Sequence, residues 1–170
     1  VLYAVTQQDL KRLLAYSSIE NVAIIGIGIG VGMLGLTYGN PYVAVLGFAG
    51  GILHILNHSI FKELMFFAAG SVYLKTHTRN MELLGGLMKK MPYTGLLFIV
   101  GSIAICGLPP FNGFIGEFLI YAGMIMGIPA SEISLFLVLI LSIAALGMVG
   151  TMAMLCFTKA AGITFLGNPR

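Results

Sequence analysis

Runs of apolar residues long enough to cross a bilayer leave this chain few folds to adopt. A helix needs about twenty predominantly apolar residues to span the hydrocarbon core. Inside that core, only helices and closed barrels satisfy their own backbone. Residues 13–36 form one such run, ended by the turn TYGNP, and residues 42–73 form a second. A third, residues 93–126, is interrupted near 107–113 by GLPPFNG, and the turn GIPASE leads to a fourth at 133–157. Charged residues make up 9% of the chain, against about 25% in a soluble domain. The fold expected is an all-α integral membrane protein with about four transmembrane helices, one broken by Pro-Pro, forming a single transmembrane unit over residues 1–170. The chain opens on Val1 and closes on FLGNPR, which reads as a piece of a longer protein.

The placement of positive charge orients these runs. Lys11 and Arg12 precede the first run, Lys75, Arg79, Lys89 and Lys90 lie between the second and third, and Lys159 and Arg170 follow the fourth. The two remaining turns carry none, which is the asymmetry of a positive-inside membrane protein if each run crosses once. No basic patch with interleaved aromatics is present, so a nucleic-acid partner is not expected; the lipid bilayer is. Cys106 and Cys156 lie far apart in apolar surroundings and form no metal or redox motif.

IIGIGIGVGMLG contains a formal GxGxxG at Gly30, Gly32 and Gly35. A dinucleotide fingerprint requires a preceding strand and a βαβ unit, and neither fits here. Gly28 and Gly32, and likewise Gly26 and Gly30, stand four apart, a spacing that lets neighbouring membrane helices approach closely.

The ninth cation, Lys62, lies inside the second run, in HILNHSIFK. His54, His58 and Lys62 recur at every fourth residue and so share one helix face, with Asn57 one position off it. An ionised lysine at the bilayer centre costs on the order of 2.5–3.5 kcal/mol on insertion scales, and such groups usually mark ion or proton pathways. Three readings stay open for this stripe: a metal site built from two imidazoles, interhelical hydrogen bonding, or a proton relay through groups that titrate or can exchange a proton. HExxH is absent and no third ligand has a suitable spacing. Glu20 in the first run either pairs with a buried base such as Lys62 or reaches a near-surface polar layer. Glu63 adjoins Lys62, but helical neighbours do not face each other, so it points to a different helix or to a partner subunit. In the third run Pro109 and Pro110 remove backbone donors, and membrane transporters build ion sites at such breaks. Glu117, two turns beyond, is a candidate proton acceptor.

Taken together and in order, QQDLKRLLAYSSIENV, HILNHSIFK, GSVYLKTHTRNMELLGGLMKKMP and GLPPFNGFIGEF resemble the antiporter-like membrane subunits of respiratory complex I and its relatives. Those relatives include membrane-bound [NiFe] hydrogenases and multisubunit sodium/proton antiporters. GLPPFNGF and AYSSIEN are most similar to the branch of hydrogenase 4 and formate hydrogenlyase. The resemblance implies that the chain is most of one inverted repeat. His54, His58 and Lys62 then stand at positions of a water-lined proton path, with Glu117 at its far end. Glu20, Glu63 and Lys11 are expected as charge-pair modulators, and the resemblance implies partners among other membrane-arm subunits and a peripheral redox module, in a bacterial or archaeal inner membrane. Glu63 departs from the pattern, in which a small residue often follows the lysine. No residue looks suited to NADH, quinone, flavin, an iron–sulfur cluster or nickel, so no cofactor or metal is expected. Protons, sodium exchanged for protons, or a purely structural anchoring role are the functions to be separated.

Overall fold

A computed structural model describes residues 2–130 and 132–168; Arg170, counted above among the cations on one side, lies outside them. Among the described residues the secondary structure is helical: α1 (Leu2–Thr6), α2 (Leu10–Thr37), α3 (Pro41–Thr76), α4 (Pro92–Ile105), α5 (Asn112–Gly127) and α6 (Ile133–Ala161). Single 3₁₀ turns connect some of them, and a π-helical turn, Gly162–Leu166, extends α6.

Local chemistry sets the boundaries. Asp9 starts α2 three residues ahead of the apolar run, its Oδ1 accepting from the backbone N–H of Lys11 at 2.9 Å and of Arg12 at 3.1 Å. Asn40 caps α3 through Val43 N–H, and Pro41 fills a first-turn position that needs no donor. α3 ends at His77, whose left-handed backbone (φ 54°) closes the last turn. The interruption in the third run separates α4 from α5 completely. Gly107 turns the chain at φ 63°, Pro109 and Pro110 follow, and α5 restarts at Asn112. Gly113 lies so close to the Ala104 carbonyl that no side chain fits between the two half-helices.

Helix α3 is central and packs against α2, α4 and α5, while α6 lies across α2, α4 and α5. Helices α2, α3 and α6 with its π turn are each long and apolar enough to cross a membrane, and α4 is a shorter apolar helix. Large apolar side chains such as Phe67 (73% exposed), Leu141 (67%) and Tyr93 (82%) point outward, as a lipid-facing surface requires. This is a multi-pass membrane fold.

The α2–α3 seam is made by glycine. A Cβ on Gly28 would stand 2.9 Å from Gly51 Cα, one on Gly32 would strike the Phe48 ring, and Gly35 abuts Ala44. Gly26 and Gly30, expected to serve in the same way, have nothing within 4 Å: they point away from α3, so only Gly28 and Gly32 of the two pairs make the close approach.

Two apolar clusters occupy opposite ends of the bundle. One gathers Leu10, Leu13 and Leu14 of α2 with Phe61 and Met65 of α3, Phe98 of α4 and Phe157 of α6. The other joins Ile24 and Val31 of α2 to Val43, Ile120 and Leu139. Along α2, the buried polar residues Ser17, Glu20 and Asn21 fall between the two clusters, as His54 and Asn57 do along α3. At the first cluster's end the loops are locked together. Arg79 Nε lies 3.3 Å from Asp9 Oδ2, Leu10 N–H donates to Arg79 O, and Lys159 Nζ donates to the carbonyls of Val5 and Gln7. Lys11, Arg12, Lys75, Arg79 and Lys159 are thereby gathered at one end of the bundle.

Candidate functional site: a buried polar layer between helices

The four-residue spacing on α3 places His54, His58 and Lys62 on its inward side. His54 is fully buried, Lys62 is 5% exposed, and His58 is half-buried. Each meets a different environment. His54 Nε2 donates to Asn21 Oδ1 at 3.1 Å, the amide being oriented by its own Nδ2 donating to Ser17 O at 2.9 Å. The ring fits because position 116 of α5 is glycine: a Cβ there would stand 2.8 Å from His54 Nδ1. His58 packs edge-on against Phe61, ring centroids 5.6 Å apart.

Lys62 does not reach a carboxylate. Its Nζ donates to Leu14 O at 2.8 Å and to Ser17 Oγ in a very short hydrogen bond, and lies 5.9 Å from the Phe157 ring centroid. Among the described residues Glu20 and Lys62 form no ion pair within 4 Å, because the neutral acceptors Ser17 and Leu14, one and nearly two turns earlier on α2, hold the amine. Glu20 is nonetheless buried (5% exposed) rather than at a surface layer, and its Oε2 has no hydrogen-bond partner among the described residues. His54 Nδ1 and His58 Nε2 are likewise buried without one. Three polar atoms of this layer thus have no hydrogen-bond partner among the described residues.

The remaining expected residues divide. The carboxylate of Glu117 folds back on the break and lies against Gly107, where a Cβ would be 2.8 Å from Oε2. Pro109 and Pro110 are exposed in the break itself. Glu63 faces outward from α3, away from the layer. Lys11 sits at the basic end with its ammonium 5.1 Å from the Tyr73 ring centroid, far along α2 from Glu20. Among the described residues, no group of three or more His, Cys, Asp or Glu is placed to hold a metal ion.

Sequence reasoning did not single out Ser17 or Asn21. Their signal was present: in AYSSIEN, Ser17, Glu20 and Asn21 stand at i, i+3 and i+4, one polar face on an apolar helix. Asn57, one step off the histidine stripe, faces α5 instead. Its Nδ2 donates to Asn112 O at 2.8 Å, and Asn112 Nδ2 returns a bond to Asn57 O at 3.4 Å, tying the break to α3.

A broken helix beside a glycine-seamed helix pair, with ionisable side chains buried between them, defines a multi-pass membrane protein with a polar interior layer. The chain belongs to the family described as NADH:quinone oxidoreductase/Mrp antiporter, TM, whose profile matches residues 1–147. It is 42% identical over its whole length to hydrogenase-4 component B of Escherichia coli K12, covering 25% of that protein. Formate hydrogenlyase subunit 3 of the same organism is 41% identical over 99% of the chain and 28% of that protein. An Na(+)/H(+) antiporter subunit of Bacillus subtilis 168 is 37% identical over 72% of the chain and 15% of that protein. The chain therefore spans about a quarter of the length of the first two relatives.

Proposed function

We propose that this chain is the proton-translocating part of an antiporter-like membrane subunit in a redox-driven complex of the hydrogenase or NADH:quinone oxidoreductase type. One observation carries the reading: His54, Lys62 and Glu20 are buried together between α2 and α3, although a helix that only spans a bilayer gains nothing from them. Protons pass along His54, His58 and Lys62 and reach Glu117 at the helix break; Glu20 modulates Lys62 through its charge. Lys11 contributes at the basic end, where protons enter. α4 and α5, each shorter than a span, cross once as a pair, giving four crossings in a bacterial inner membrane. Glu63, turned outward at the depth of Lys62, meets another membrane helix. Other membrane subunits and a peripheral redox module complete the machine.

Lys62→Ala and Glu117→Ala in the complete complex, reconstituted in sealed vesicles, should each lower proton transfer while assembly stays intact. Normal pumping by both variants would end this reading. A second reading, sodium/proton exchange, is favoured by the similarity to a protein of that antiporter type. Transfer that requires sodium would select it.

A further inference from the structure

We infer that Ser17 is a positioning residue for Lys62: its hydroxyl, with the Leu14 carbonyl, seats the buried amine and keeps it off Glu20. The inference rests on the proton-transfer reading above and adds to it a residue that reading does not use.

The hydrogen bonds define the seat. Ser17 is fully buried, and its Oγ–H donates to Leu14 O at 3.0 Å, so the oxygen's lone pairs are free to accept. Lys62 Nζ donates both to that oxygen and, at 2.8 Å, to Leu14 O. The seat therefore offers two acceptors. A neutral amine has two N–H donors and is satisfied; an ammonium has three and keeps one in excess. The Phe157 ring face, 5.9 Å away, is a weak third partner. Glu20 is three residues beyond Ser17, on the same face of α2, and its buried Oε2 accepts no bond from the described residues. The added proton thus gives Lys62 a reason to leave the seat for the carboxylate, and losing it favours return. Without the Ser17 hydroxyl the seat has one acceptor, and the amine stays with Glu20 in either state.

The test uses the complete complex in sealed vesicles. Ser17→Ala should lower proton transfer about tenfold or more, the factor a hydrogen bond to a charged group is worth. Ser17→Thr, which keeps a hydroxyl on the same carbon, should recover most of it. In a Glu20→Gln background, Ser17→Ala should cause less than about a twofold further change, since the competing charge is gone. If Ser17→Ala does not assemble, Ser17→Cys, similar in volume and a poor acceptor, should show the same loss. Wild-type transfer by Ser17→Ala beside a silent Lys62→Ala would overturn this inference alone. So would a Thr variant as impaired as Ala, or losses from Ser17→Ala and Glu20→Gln that simply multiply. Normal transfer by Lys62→Ala would remove the proton-transfer reading and this inference with it.

Discussion

Substituting Gly47 by alanine should pry apart the helix pair that holds the buried layer. A Cβ there would strike Gly32 N and stand 2.8 Å from Gly32 Cα and 2.9 Å from Gly28 O. Ordinary van der Waals contact begins at 3.4–4 Å, and all three obstacles are backbone, so α2 and α3 must separate by about 1 Å. Overpacking of this kind costs about 1–3 kcal/mol. Its reach is longer than the contact itself. Gly47 is two turns from His54 on α3, so the 3.1 Å bond from His54 Nε2 to Asn21 would stretch to about 4 Å and be lost. Interhelical bonds in membranes are worth about 0.6–2 kcal/mol, so the variant loses stability from both sources. Heating the purified complex in detergent and following the assembled fraction measures the first effect; proton transfer in vesicles measures the second. Gly26→Ala is the matched control, since nothing lies within 4 Å of it and alanine favours helix by up to about 1 kcal/mol. Gly47→Ala should melt earlier and transfer protons more slowly, while Gly26→Ala should match or exceed the parent in stability. Equal behaviour of the two would refute the assignment of the seam.

Other perturbations address separate links. Asp9→Ala removes the cap of α2 and its contact with Arg79, and should cost about 1 kcal/mol in the same melting assay; Arg79→Ala, which breaks only a half-exposed ion pair, should cost less. Asn57→Leu deletes the 2.8 Å bond to Asn112 O and should loosen the break, seen as faster hydrogen exchange over 107–113 with little change at α2. Glu63→Gln should be tolerated, whereas Glu63→Lys should weaken association with neighbouring membrane helices in native gels if a cation faces it there.

Much of this architecture could be read from the residues because membrane helices leave few alternatives. Run length and turn chemistry at TYGNP and GLPPFNG are local properties, and α2, α3 and the α4–α5 break follow from them. The inward stripe of His54, His58 and Lys62 was also legible, since a four-residue period fixes a face. What a period cannot supply is the rotation of one helix relative to another. Gly26 and Gly28 have the same spacing pattern, yet only Gly28 meets α3. Equally, charge left Glu20 either as a partner for Lys62 or in a near-surface polar layer, whereas the amine bonds to a serine and a carbonyl and Glu20 is buried. Serine is hard to recognise as a ligand from sequence, because in membrane helices it so often bonds back to its own backbone. Ser17 does both, and its position opposite Lys62 distinguishes it from Ser18, whose hydroxyl bonds back to Leu14 O.

The unsatisfied atoms of the buried layer supply the most direct test. In a high-resolution structure of the complete complex, His54 Nδ1, His58 Nε2 and Glu20 Oε2 should each have ordered water within hydrogen-bonding distance, linked onward to Lys62. Lipid tails or packed apolar side chains against all three atoms would contradict proton transfer through this layer.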